Sequence, residues 1–302
     1  MISAWFRLLR PRQWTKNAFC FAGLVFSGRL SDVGGWRVAL LTFAVFCVAS
    51  SAVYILNDVV DLARDRLHPK KKNRPLAQGR IAMPSAVIAA LALAALALGV
   101  GALLGLAAWG CLAGFLVLNV LYSYRLKHLA LIDAAAIALG FVLRLVGGIY
   151  AIHEWPTAWN VLCTFFLALF LGFAKRRSEL AELGEDISPT QRPVLAKYTV
   201  PFLDSLVNST ATMTVLTYAL FTAISGRNPT LVVTVPFVHY GVMRYELLLR
   251  RAQGTEEPDT VLLKVATCAS LFAIPVVPIV RVCPRNVKAF TAPLLLKVPP
   301  PF

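Results

Sequence analysis

About nine long apolar stretches, near positions 17–31, 36–56, 84–106, 108–124, 131–152, 158–174, 208–225, 229–246 and 261–281, recur along the chain between shorter polar connections. A helix needs about 20 such residues to cross the hydrocarbon core of a bilayer. A hydrophobic share of 58% and a mean hydropathy of +0.69 exceed what a soluble domain of 302 residues needs for its core. Backbone polar groups cannot be left open to lipid, so every span is expected to be helical. The predicted architecture is an all-α integral membrane protein: a bundle of about nine transmembrane helices with a cytoplasmic polar cap, folded as one domain over residues 1–302. The first span is the weakest, because Ser27, Gly28 and Arg29 cut it short. The third and fourth have almost nothing polar between them, and a count of eight is the fallback.

A formal net charge of +15 invites a nucleic-acid reading, but the distribution of the charge argues against one. Basic residues alternate by connection. Arg7, Arg10, Arg12 and Lys16 precede the first span, Arg64 to Arg80 follow the second, and Arg125 and Lys127 follow the fourth. Lys175, Arg176, Arg177, Arg192 and Lys197 follow the sixth, and Arg244, Arg250 and Arg251 the eighth. The intervening connections hold little beyond Arg29, Arg37 and Arg227. The positive-inside rule therefore puts the N-terminus and the long loops 57–83 and 175–207 in the cytoplasm of a multi-pass protein of the cell's inner membrane. The basic tail, Arg281 to Lys297, fits that rule poorly. No secretory leader is expected, since the polar run Arg10 to Asn17 interrupts any early apolar segment.

The cysteines at 20, 47, 111, 163, 268 and 283 lie singly, mostly in apolar surroundings, and read as small core residues. His68, His128, His153 and His239 show no metal-ligand spacing.

The chemistry-bearing signal is Asn57-Asp58-Val-Val-Asp61-Leu-Ala-Arg-Asp65, at the cytoplasmic end of the second span. Residues three, four or seven apart share a helical face, so Asp58, Asp61 and Asp65 can converge with Asn57 beside them. The basic run Lys70-Lys71-Lys72-Asn73-Arg74 follows closely. Carboxylates next to cations suit a Mg²⁺-bound, phosphate-rich ligand, because Mg²⁺ takes few carboxylates and leaves its other positions to water and phosphate oxygens. The alternative is a salt-bridged helix end neutralised by Arg64, Arg66 and Lys70, with Asp65 the aspartate best suited to a structural role. Span four ends in Tyr122-Ser-Tyr124-Arg125-Leu-Lys127-His128, followed by Asp133, which predicts a second polar wall carrying Lys127 and Asp133 opposite the carboxylates. Arg144 lies inside an apolar span, where an arginine costs about 2.5–3.5 kcal/mol on insertion scales, so a partner within the bundle is expected. Asp133, about three turns away on the same helix, is too distant to be that partner.

The acidic motif, Arg74-Pro75, the N-terminal Arg10-Pro-x-x-Trp14-x-Lys16-Asn17 and the number of spans together resemble the UbiA superfamily of intramembrane prenyltransferases over nearly the whole chain. The usual second Asp-x-x-x-Asp of aromatic prenyltransferases is replaced here by Tyr122-x-x-x-Leu126-Lys127-His128 with a lone Asp133. With His68 to Pro75, Arg144 before Gly147-Gly148, Lys175-Arg176 with Glu179, and Arg244-Tyr245, this is similar to the decaprenyl-phosphate phosphoribosyltransferase branch. An acidic residue expected shortly after Asp259 is absent, with Lys264 and Val265 in that region.

The resemblance implies transfer of 5-phosphoribose from phosphoribosyl pyrophosphate to a polyprenyl phosphate at the membrane, releasing pyrophosphate and feeding arabinose donors for the cell wall. It implies Mg²⁺ on Asn57, Asp58, Asp61 and Asp65, with Asp58, Asp61 and Lys127 carrying the chemistry. Lys72, Arg74 and Lys127 are the expected phosphate ligands, with Lys16 and Lys175 behind them, and Asn17, Lys71, Tyr122, Asp133, Arg144 and Arg176 completing the substrate site. A homo-oligomer is compatible with the sequence. Two other functions share some of these features: prenyl transfer from a prenyl diphosphate to an aromatic acceptor, and ion-coupled transport or lipid flipping. The first normally shows the second acidic motif, and the second needs charges at mid-membrane.

Overall fold

The computed structural model describes residues 2–26, 29, 31–67, 71–183, 194–224 and 229–251. The expected ninth span, the C-terminal tail and Lys264 lie outside these residues, as do His68, Pro69 and Lys70. Among the described residues the chain is helical, with no strand.

The chain begins with α1 (Ile2–Leu9), followed by a 3₁₀ segment (Pro11–Phe21) and the short α2 (Ala22–Phe26). The expected first span is thus not one continuous α-helix. Arg10, in the left-handed region at φ 52° and followed by Pro11, separates α1 from the 3₁₀ segment. The polar face of that segment is held sideways: Trp14 Nε1 donates to Ser51 Oγ at 3.0 Å, and buried Asn17 packs on the next helix.

That next helix, α3 (Val33–Val60), starts at Asp32, whose carboxylate accepts from the Gly35 N–H at 3.0 Å as an N-cap. Arg29 fastens the cap, donating to Asp32 and to the Ile152 carbonyl. The 28 residues of α3 amount to about 42 Å of helix, so α3 crosses a membrane and carries its polar C-terminal turn beyond the apolar span. Asp61, at φ −90° and ψ 3°, ends α3, and α4 (Leu62–Leu67) sets off at once.

The helices α5 (Met83–Gly101) and α6 (Leu106–Tyr124) form a hairpin. No polar residue separates them. A short 3₁₀ turn and Gly105, at φ 89° and ψ 158°, make the break, a conformation open to glycine alone. Both helices and the turn between them expose large apolar side chains such as Leu91, Leu96, Leu103 and Leu106, as a lipid-facing surface requires.

The centre of the bundle is α7 (Ile132–Ala151), which packs on α6, on the 3₁₀ segment and on α8 (Ala158–Leu183). Its Gly148 permits the close approach of the N-terminal segment, because a Cβ there would fall 2.2 Å from the Cys20 carbonyl oxygen. After α8 come α9 (Val200–Ile224) and α10 (Val235–Arg251), in the places of the expected seventh and eighth spans. Buried Thr210, Thr214, Thr217 and Thr222 of α9 donate their hydroxyl protons to carbonyls of the preceding turn of the same helix. Five helices among the described residues, α3 and those over Met83–Leu104, Leu106–Tyr124, Ile132–Ala151 and Ala158–Ala181, are long and apolar enough to span a bilayer. The protein is a multi-pass membrane bundle.

Candidate active site

The turn from α3 into α4 puts the three aspartates of the motif at one end of the bundle, each on a cation. Asp58, 2% exposed, accepts at one oxygen from two arginines, Arg10 at 2.5 Å and Arg74 at 3.0 Å. The same Arg74 nitrogen donates to Asp65 at 2.5 Å, and Lys71 Nζ stands 4.0 Å from the other Asp65 oxygen. Asp61 accepts from Lys127 at 2.6 Å, the two side chains being 18% and 12% exposed. Three carboxylates thus meet Arg10, Lys71, Arg74 and Lys127, brought by four separate stretches of chain: the end of α1, the loop before α5, and the connection between α6 and α7 in addition to α3–α4.

The ion pairs expected for a purely local helix end, with Arg64 and Arg66, are not those found: both residues are exposed. Asp65, the aspartate expected to be the most structural, is 2% exposed and held by two cations of the basic run. Lys72 is exposed, whereas Lys71 is half-buried.

The side-chain amide oxygen of Asn57 is buried with no hydrogen-bond partner among the described residues. An orphaned acceptor of this kind costs free energy unless a cation or donor meets it. No group of three His, Cys, Asp or Glu among the described residues is gathered as a metal cage. The available set is therefore the Asn57 oxygen with its neighbouring aspartates, hard oxygen ligands of the kind Mg²⁺ takes when phosphate supplies the remainder.

The predicted opposite wall divides. Lys127 crosses to Asp61, but Asp133 is fully buried and turned to α8, where Arg176 Nε donates to it at 2.8 Å. Arg176 also donates to Glu179 at 2.9 Å. The Tyr198 hydroxyl donates to the second Asp133 oxygen at 3.2 Å and accepts the Leu131 N–H at 2.6 Å. Tyr122 is half-buried near this group. Lys175 is exposed on α8.

Asn17 and Arg144 find each other rather than the aspartates. Arg144 Nε donates to Asn17 Oδ1 at 2.6 Å, its NH1 to the Gly140 carbonyl at 3.0 Å, and its NH2 reaches Ser50 Oγ at 3.5 Å. Asn17 Nδ2 donates to Cys47 Sγ at 3.2 Å. The guanidinium lies 4.4 Å from the Phe115 ring centre and 5.3 Å from that of Phe141, cation–π contacts that offset part of its desolvation. This lock joins the N-terminal segment, α3 and α7 inside the bundle. Lys16, next to Asn17, is half-buried.

Sequence reasoning missed Arg10 and Tyr198 as site residues. Arg10 was visible in the Arg-Pro of the N-terminal motif, and its guanidinium also sits 5.3 Å over the Tyr54 ring. Tyr198 carried no signal, since its two partners are more than 60 residues away in sequence. Burial, followed by the repulsion of Arg64 and Lys127, holds the His128 imidazole below its ordinary value, with Asp61 pulling the other way.

The UbiA prenyltransferase family model matches residues 17–268. The decaprenyl-phosphate phosphoribosyltransferase of Corynebacterium glutamicum is 33% identical over 220 residues, covering 71% of this chain and 66% of that protein. The enzyme of the same name from Mycolicibacterium smegmatis is 32% identical over 227 residues, covering 73% and 70%. The aligned part is thus about two thirds of these relatives' own lengths. The backbone is similar to that of a UbiA homologue from Archaeoglobus fulgidus, solved bound to GPP and Mg²⁺, with a TM-score of 0.73, 19% identity and coverage of 92% of this chain and 100% of the other.

Proposed function

Because the chain belongs to the UbiA prenyltransferase family, we propose that it transfers 5-phosphoribose from phosphoribosyl pyrophosphate to a polyprenyl phosphate of the decaprenyl type, at the cytoplasmic face of the inner membrane. The observation that carries this reading is the interleaving of Asp58, Asp61 and Asp65 with Arg10, Lys71, Arg74 and Lys127. The donor presents a diphosphate and a separate 5-phosphate, and the acceptor is itself anionic, so the reaction needs more fixed positive charge than a prenyl diphosphate with an aromatic acceptor would. Relatives named for phosphoribosyl transfer to decaprenyl phosphate favour the same reading.

In the transfer, the ribosyl C1–O bond to the diphosphate breaks, and the bonding pair leaves with pyrophosphate. An oxygen of the polyprenyl phosphate forms the new bond to C1. Positive charge builds on the sugar as the old bond lengthens, while Arg74, Lys127 and Arg10 absorb the negative charge gathering on the leaving group. A phosphate monoester is already ionised at neutral pH, so no general base is assigned. Asn57, Asp58, Asp61 and Asp65 would hold Mg²⁺, whose contribution is Lewis-acid neutralisation of the diphosphate. Asn57 Oδ1, without another partner among the described residues, is the ligand this chain offers most directly.

The test is a membrane assay with radiolabelled phosphoribosyl pyrophosphate and polyprenyl phosphate, with and without Mg²⁺, scoring label in the organic phase. Mg²⁺-dependent labelling of lipid supports the proposal. No labelling by folded protein, with turnover of a prenyl diphosphate and an aromatic acceptor instead, overturns it. Ion-coupled transport is disfavoured by Arg144, whose guanidinium is enclosed by Asn17, Gly140 and two phenylalanine rings.

A further inference from the structure

The connection between α6 and α7 delivers Lys127 to Asp61, and its backbone is under tension at its far end. Leu131, the residue that precedes α7, sits at φ 68° and ψ −43°, close to the γ-turn region that a branched side chain rarely occupies. Something outside the connection must hold it there. The Leu131 N–H donates to the Tyr198 hydroxyl at 2.6 Å, and that hydroxyl donates onward to Asp133 at 3.2 Å. Asp133 is in turn fixed by Arg176 at 2.8 Å. Between Leu131 and Lys127 the chain is tied by consecutive short turns, with His128 N–H to the Arg125 carbonyl, Leu129 N–H to the Leu126 carbonyl and Asp133 N–H to the Leu129 carbonyl, all at 3.0–3.1 Å. A displacement of Leu131 therefore has little slack to be lost in before it reaches Lys127.

We propose that Tyr198 is a positioning residue: its hydroxyl, anchored on the Asp133–Arg176 pair, braces the strained Leu131 backbone and so aims Lys127 across the site at Asp61 and the donor phosphates. The aim at donor phosphates rests on the phosphoribosyl-transfer reading, whereas the aim of Lys127 at Asp61 does not. Tyr198 is 5% exposed and stacks on Phe202 with ring centres 6.3 Å apart, so replacing it by phenylalanine keeps its packing and removes only the hydroxyl. It enters from the segment leading into α9, which couples that distant part of the chain to the lysine.

The experiment compares Tyr198→Phe, Lys127→Ala, the double variant and Tyr198→Phe/Leu131→Gly in the full-length protein, each first checked for thermal stability in detergent. Two readouts are taken: reaction of Lys127 with an amine-acylating reagent, followed by peptide mass spectrometry, and the donor KM. Tyr198→Phe should raise Lys127 acylation and donor KM each by about five- to tenfold, the scale of one lost hydrogen bond. Leu131→Gly should reverse much of both changes, because glycine adopts a positive φ without a brace. In the Lys127→Ala background, Tyr198→Phe should change donor KM little further. Unchanged Lys127 acylation in a folded Tyr198→Phe protein overturns the proposal, as does a KM effect that adds in full to that of Lys127→Ala. If Lys127→Ala leaves donor KM untouched while acylation still responds to Tyr198→Phe, the brace stands and the phosphate role of Lys127 falls. Should Tyr198→Phe fail to fold, Asp133→Asn supplies the same acylation readout by weakening the hydroxyl's anchor, and no rise there counts against the brace.

Discussion

Lys127 spans the site from the α6–α7 connection to Asp61, Nζ to Oδ1 at 2.6 Å, with both side chains largely withdrawn from solvent. A charge-assisted contact of this kind is worth about 1.5–3 kcal/mol. Lys127→Ala is expected to raise the donor KM by about ten- to a hundredfold and the acceptor KM much less. Steady-state kinetics with each substrate varied separately checks this, and equal effects on the two substrates would remove Lys127 from the donor site.

Asp58 and Asp61 should differ when neutralised, although both belong to the same motif. Asp58 is buried between Arg10 and Arg74, so Asp58→Ala takes the carboxylate from Arg10 and leaves Arg74 with Asp65 alone, and it is expected to cost about 3–5 kcal/mol of stability as well as turnover. Asp61 has a single lysine partner, so Asp61→Asn should abolish turnover at the smaller stability cost of about 1.5–3 kcal/mol. Unfolding in detergent alongside the lipid-labelling assay separates the two. Near-normal turnover in Asp61→Asn would remove it from the catalytic set.

Arg144 and Asn17 were grouped with substrate by their sequence context, yet they form a closed lock within the bundle. Arg144→Met is accordingly expected to lower the melting temperature without selectively raising either KM. The loss of the charge relieves desolvation, so the destabilisation should stay below about 3 kcal/mol, most of it from Asn17 and Gly140 losing their donor. A donor KM raised more than tenfold in a stable Arg144→Met protein would return the residue to the site.

How much of this was legible in sequence depends on range. The apolar stretches of α3, α5, α6, α7 and α8 were readable because a membrane span is a local property of composition. The clustering of Asp58, Asp61 and Asp65 was readable because helical spacing is local too. Which cation each aspartate takes was not. Arg10 reaches Asp58 across 48 residues and Lys127 reaches Asp61 across 66, and packing, not spacing, sets both. The first span failed as an α-helix because Arg10-Pro11 and the polar face of Trp14 and Asn17 direct that segment into α3 rather than along the lipid. Asp133 was placed opposite the carboxylates, whereas its partner on α8 turns it the other way.

His128, beside Lys127, gives a pH readout of the same connection. Burial, with Arg64 and Lys127 adding to it, sets its imidazole below the ordinary value of 6.5, against the attraction of Asp61. The unfolded chain therefore binds a proton at pH values where the folded chain does not. The stability this group contributes is complete above about 6.5 and is lost as pH falls through the lower folded value. Melting temperature should decline on acidification below about 6.5, and His128→Gln, which cannot take up the proton, should flatten that part of the profile. Lys127→Ala removes one repulsive charge and leaves Asp61, so the folded value rises, the gap to the unfolded value narrows and the decline below about 6.5 becomes shallower. Melting curves for the three proteins between pH 5 and 8 decide the matter. Superimposable slopes for wild type and His128→Gln would show that this imidazole titrates alike in the folded and unfolded chains, and would detach it from the Lys127–Asp61 contact.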